Sequence, residues 1–474
     1  MNYKKIPIKL LGIITIIILY YISGNKSLFL YASTLSLYNI FISCFNHITL
    51  KETYKKVEYN YSRIKILKYT IINIIIISLL FTLLSIFISD AINIFLKIEN
   101  TFIPYLIMSL SIITEPIIKV LSEYLESYKF NKLSNNLLNL YYILEMSILI
   151  IISIISLRLI KMPIHIAVAL LYLPKIISFI AVSTLIITKI KKLNLNLIKE
   201  KNEKQISYKK EIKEILVKNN HVSIINLIKN SYYYISLIIL YAVLSTRYSY
   251  RIDVIEKDLT FIYLYGMYIL NFIVDVVSTI TKNANKKESI INYIYISFKN
   301  IITVAIIFGI TSPLISKIIF NDINNYIYLV MIILLSIFIV LYNITFENVK
   351  SKKIIYISLI SGIICKLVFI IPLINSFYRM GYNLIYGDII STIIGMSISI
   401  IINYICIKIK NKKERTLEKI LVTLYESIIL CIVLVLLQFI VPVKTDNYIK
   451  ALFTLALYIS ISIMFISFKK KKRG

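Results

Sequence analysis

Stretches of isoleucine, leucine, valine, phenylalanine and tyrosine follow one another from residue 6 to residue 468, each bounded by lysine, asparagine, glycine or proline. Each stretch runs to roughly 17–25 residues, the length a helix needs to cross a ~30 Å hydrocarbon core. The pattern predicts about fourteen spans, beginning at 6–22, 27–47, 68–89, 101–122 and 136–157 and ending at 384–407, 417–440 and 447–468. In water the Ile, Val and Tyr content would favour strands. In lipid each segment must satisfy its own backbone hydrogen bonds, and runs this long without alternation do not suit a barrel. The expected fold class is all-α: a polytopic membrane protein of two six-helix lobes and a C-terminal helix pair.

Composition strengthens this picture, because 58% of the 474 residues are hydrophobic, more than a soluble core needs. The excess of 54 Lys and Arg over 24 Asp and Glu, a formal charge of +30, would suggest nucleic acid in a soluble chain. Here the basic residues lie in short blocks between apolar runs, at 51–68, 350–353, 408–419 and 469–473, and topology explains them. The connections at 23–26 and 442–447 are short and nearly neutral. Basic loops on the inner face make the N-terminus cytoplasmic, and an even number of spans returns the C-terminus to the same side. The N-terminal stretch is similar to a signal peptide, but no small-residue cleavage site follows, so it is expected to remain as the first span.

The break at 189–220 is the longest, rich in Lys, Glu and Asn. It divides the chain into a lobe at 1–190, a connecting segment at 191–220, a second lobe at 221–410 and a terminal pair with its basic tail at 411–474. The part at 207–218 is either an amphipathic helix on the inner leaflet or a solvated linker. Two halves joined by a long cytoplasmic loop are a common transporter plan.

Four cysteines, Cys44, Cys365, Cys406 and Cys431, stand alone in apolar runs. With only three widely separated histidines, they give no metal site, no cofactor and no catalytic constellation. The chemistry must then reside in charges placed within the spans. Each costs at least ~2.5 kcal/mol to insert and needs a partner, a wet cavity or an interface. Glu115 and Lys119 are four apart on one helix face and neutralise one another. Lys229 and Asp275, on adjacent spans, either pair across a central cavity or present a cation to an anionic head group. Glu145 has no local partner and is expected neutral. Lys366 and Asp388 are expected near an interface where the lysine stem snorkels. Lys175 and Glu426 complete the set. Pro116 removes a backbone donor in the fourth span, and Gly362, Gly381, Gly387 and Gly395 cluster around the eleventh and twelfth; with Gly12 and Gly24 near the N-terminus they are candidates for bending or close packing.

Leu10-Leu11-Gly12, then Gly24, Leu28-Phe29-Leu30-Tyr31 and Tyr38-Asn39-Ile40-Phe41-Ile42-Ser43, resemble the opening two helices of bacterial oligosaccharide flippases. Residues 350–353 and 366–373, Met380-Gly381-Tyr382 and the run from Tyr386-Gly387-Asp388 to Gly395 resemble their eleventh and twelfth. These flippases form the branch of the multidrug/oligosaccharidyl-lipid/polysaccharide (MOP) exporter superfamily that holds the stage V sporulation protein B family and the lipid II flippases. The resemblance implies two lobes that alternately open a central cavity in the bacterial plasma membrane. The substrate it implies is a lipid-linked saccharide, with membrane lipids as the other partner. Many relatives carry arginines in the first helix, where this chain has Ile16 and Tyr21. Either Lys229 or another residue takes their place, or the substrate differs, or the chain is a non-transporting scaffold paralogue. The remaining alternative is a small-molecule exporter coupled to Na+ or H+ through Asp275 or Glu145.

Overall fold

The computed structural model describes residues 6–22, 24–45, 63–96, 101–193, 218–248, 251–284, 290–349, 351–410, 416–445 and 447–471. All regular structure among them is helical. In chain order the α-helices are α1 (Ile6–Ile22), α2 (Asn25–Phe45), α3 (Arg63–Leu96), α4 (Phe102–Ser111), α5 (Thr114–Ser127) and α6 (Asn131–Ser153). They continue with α7 (Ile164–Leu170), α8 (Leu173–Lys192), α9 (Lys218–Ala242), α10 (Ile252–Thr260), α11 (Met267–Ala284) and α12 (Ile290–Ile310). The last are α13 (Ser312–Phe320), α14 (Tyr326–Asn348), α15 (Lys352–Arg379), α16 (Ile385–Lys410), α17 (Thr416–Ile440) and α18 (Tyr448–Lys471).

Twelve stretches of the described residues are long and apolar enough to cross a membrane, and two shorter apolar helices, Leu11–Ile22 and Tyr448–Met464, lie where the first and last spans are expected. The chain is a multi-pass membrane protein. Most of the connecting segment at 191–220, including nearly all of the possible amphipathic helix, lies outside the described residues.

Contacts divide the chain into two compact units, Pro7–Tyr263 and Leu264–Gly474 with the first six residues. The first is organised around α2, against which α4, α5, α7, α9 and α10 all pack. In an 18-residue window of Lys26–Phe45, 89% of the residues are buried, against 22% in a window of the same length in Leu67–Ser89 of α3. The buried helix is the more polar of the two, carrying Ser33, Thr34, Tyr38 and Ser43, while α3 turns Leu79, Leu80, Leu83 and Phe87 outward. This inversion follows from the solvent: hydrocarbon tolerates apolar side chains, and polar ones are confined to the interior. α9 docks on α2 through Asn226 Nδ2, which donates to the Ser43 carbonyl at 3.3 Å, and through stacking of Phe29 on Tyr241.

Prolines break two spans of this unit. α4 gives way to α5 at Ile112 and Ile113, where the ring of Pro116 displaces the carbonyl one turn before it and no proline N–H is available to bond it. α7 gives way to α8 at Leu171 and Tyr172, just before Pro174.

In the second unit α15 and α16 form a close antiparallel pair joined by a tight turn in which Gly381 adopts φ +71°, a left-handed conformation that favours glycine. Their axes approach where Gly362 meets Gly395, and Ser399 Oγ donates to the Ser358 carbonyl at 2.6 Å. A second close approach sets Gly387 against the backbone of Ile374. The terminal pair docks on α12 and α13 through Leu314, Leu430, Leu434, Ala451 and Tyr458, with Tyr458 OH donating to the Val441 carbonyl.

Candidate functional site

The two proline-broken spans bring their second halves together. Glu115 stands in the first turn of α5 and Lys175 in the first turn of α8, and both helices pack on α6. From α6, Glu145 meets Lys175, whose Nζ lies 2.5 Å from Glu145 Oε1. Lys119 Nζ lies 2.8 Å from Glu115 Oε1, the pairing expected from their i,i+4 spacing. Two carboxylates and two ammonium groups thus share one interior region of the first unit, and their charges cancel.

Tyrosines join the two pairs. Tyr38 of α2 donates to Glu115 Oε2 at 3.5 Å, and Tyr142 of α6 donates to Glu115 Oε1 at 3.4 Å. Lys175 Nζ also lies 4.5 Å from the centre of the Tyr38 ring, where the ring quadrupole attracts a cation. Tyr172 donates to Thr34 Oγ1 at 2.8 Å and fixes the start of α8 against α2. Exposure falls steadily across the cluster: the side chain of Lys119 is 35% exposed, Glu115 17%, Lys175 12% and Glu145 7%. Lys119 is therefore the most exposed member of the cluster and Glu145 the most buried.

The structure corrects two expectations. Glu145 is not an isolated neutral carboxyl: Lys175, on a helix 30 residues away in the sequence, supplies its counter-charge. Lys366 does not snorkel. Its side chain is 4% exposed, with Nζ 3.1 Å from Asp388 Oδ1 and 2.7 Å from Thr392 Oγ1, so the α15–α16 pair is closed over an internal ion pair. Glu426 likewise has a partner absent from the sequence-based candidates, Lys299, at 2.9 Å, which ties α17 to α12. Lys229 in α9 and Asp275 in α11 are half-buried and belong to different compact units. Gly24 has open space around the position of a Cβ, whereas Gly387 does not. Gly12 is buried, and Tyr21 is exposed on α1.

Sequence reasoning missed the tyrosines. Tyr38, Tyr141 and Tyr142 are buried or half-buried at the cluster, and Tyr141 OH lies 3.4 Å from Thr114 Oγ1. A phenol within an apolar run was the available signal, obscured by the 38 tyrosines of the chain.

No family model and no curated protein matches the sequence. Solved structures do match. A structure of the lipid II flippase MurJ in an inward closed conformation superposes with a TM-score of 0.66 at 16% identity, covering 98% of this chain and 97% of that one. An outward-facing multidrug resistance MATE family transporter of the MOP superfamily gives 0.54 at 11% identity over 86% and 96%. A MOP superfamily transporter from Pyrococcus furiosus, described as having a binding pocket of reverse polarity, gives 0.52 at 13% over 85% and 94%. The fold implied by the resemblance of the first and last thirds of the sequence is the fold observed: this chain has the architecture of the MOP superfamily transporters.

Proposed function

We propose that this protein is a flippase that moves a lipid-linked oligosaccharide or cell-wall precursor across a bacterial plasma membrane, and that it is a transporter rather than an enzyme. The observation that carries the proposal is the likeness to the MurJ structure over 98% of this chain, higher in both coverage and TM-score than the likeness to the MATE exporters. That contrast favours a lipid-linked substrate over a small-molecule drug.

The physics supports such a role. A saccharide head group is strongly disfavoured in hydrocarbon, and a polar interior lowers the barrier to its passage while an apolar tail stays in lipid. Two lobes of six spans, connected through 191–220 and alternating in access, would carry the head group, with both termini in the cytoplasm. Depletion of the protein, followed by measurement of lipid-linked precursor accessible at the outer surface, tests the proposal. A fall in accessible precursor is the expected result. Unchanged accessibility in a strain with no redundant flippase overturns it.

A further inference from the structure

A membrane carboxylate that couples transport to Na+ must offer oxygens to the ion and must need its charge. Four of the carboxylates within the spans, Glu115, Glu145, Asp388 and Glu426, each have a lysine ammonium beside them, at 2.8, 2.5, 3.1 and 2.9 Å. An ammonium at that distance fills the place a sodium ion would take and supplies the same charge. Adding Na+ to the neutral cluster of Glu115, Glu145, Lys119 and Lys175 would leave an uncompensated positive charge in an interior where Glu145 is 7% exposed. The donor set therefore does not fit a resident Na+.

We infer that Lys119, Lys175, Lys299 and Lys366 are tethered replacements for coupling cations, so that the carboxylates beside them bind no Na+, and that removing Lys175 converts the Glu145 pocket into a site for a monovalent cation. Without the ammonium, the pocket would present the Glu145 carboxylate beside the π-face of Tyr38, with the Glu115 pair and the Tyr142 hydroxyl in the same cluster. That is an oxygen-rich and negatively charged setting suited to a hard cation.

The test is the thermal unfolding of the full-length protein in NaCl, compared with KCl and choline chloride at equal ionic strength. A ligand that binds only the folded state raises its unfolding temperature. The wild type is expected to unfold at the same temperature in all three salts. Lys175→Met is expected to gain a Na+-specific rise on the order of a few degrees, and Lys175→Met/Glu145→Gln to lose it. Lys119→Met, at the more exposed end of the cluster, repeats the comparison at Glu115 if Lys175→Met does not fold. A Na+-specific rise in the wild type that Glu145→Gln abolishes overturns the inference. A folded lysine variant that is insensitive to Na+ removes its second half. The readout requires no transported substrate, so it stands or falls independently of the flippase proposal.

Discussion

The ammonium of Lys175 is held between the Glu145 carboxylate, 2.5 Å away, and the ring of Tyr38, 4.5 Å from its centre. This one side chain joins α8 to α6 and to α2. Removal of one partner from a buried ion pair leaves an uncompensated charge, at a cost of about 3–5 kcal/mol, whereas removal of both restores neutrality. Glu145→Gln and Lys175→Met are each expected to lower the unfolding temperature, and the double variant to recover most of the loss. A double variant as unstable as the sum of the singles would show that the pair is not coupled.

The four intramembrane pairs differ in burial, and their lysines should rank accordingly. Lys366 is 4% exposed and Lys175 12%, while Lys119 and Lys299 are each 35% exposed. Lys366→Met and Lys175→Met are expected to cost about 3–5 kcal/mol, and Lys119→Met and Lys299→Met less, because there the flexible lysine is already partly solvated although Glu115 and Glu426 are left 17% and 11% exposed. Chemical or thermal unfolding of the four variants checks the order, and Lys299→Met proving the worst would contradict it.

Glycines that look alike in sequence should respond differently to a methyl group. A Cβ on Gly362 would fall on Ser399 Oγ and within 2.8 Å of the Gly395 carbonyl, and one on Gly387 would come within 2.8 Å of the Ile374 backbone nitrogen. Gly362→Ala and Gly387→Ala are expected to destabilise by about 1–3 kcal/mol through overpacking. Gly24→Ala, with nothing within 4 Å of its Cβ position, should stay within about 0.5 kcal/mol of wild type. Yield of monodisperse protein after mild heating gives the comparison, and equal behaviour of all three would argue against the close α15–α16 approach.

Orientation is open to direct labelling. In a background lacking the four native cysteines, single cysteines placed at 24–26 or 442–445 should react with an impermeant thiol reagent from outside the cell, and those at 351–353 only after permeabilisation. The reverse pattern would invert the topology argued from the basic loops.

The membrane class is legible along the chain because the cost of placing each residue in lipid is nearly independent of its distant neighbours. Apolar length alone identifies spans, basic blocks argue their direction, and the four-residue spacing of Glu115 and Lys119 already implies their pairing. Pro116 also marks one interrupted span of the first unit, while the break before Pro174 is seen only in the structure. What the sequence could not supply was the partner of each remaining buried charge. Glu145 finds Lys175 across 30 residues, Lys366 finds Asp388 on the facing helix, and Glu426 finds Lys299 on a helix more than a hundred residues earlier. Those choices depend on which helix faces pack together. Packing in lipid is set by side-chain fit and interior hydrogen bonds rather than by hydrophobic periodicity, so only the tertiary structure decided them.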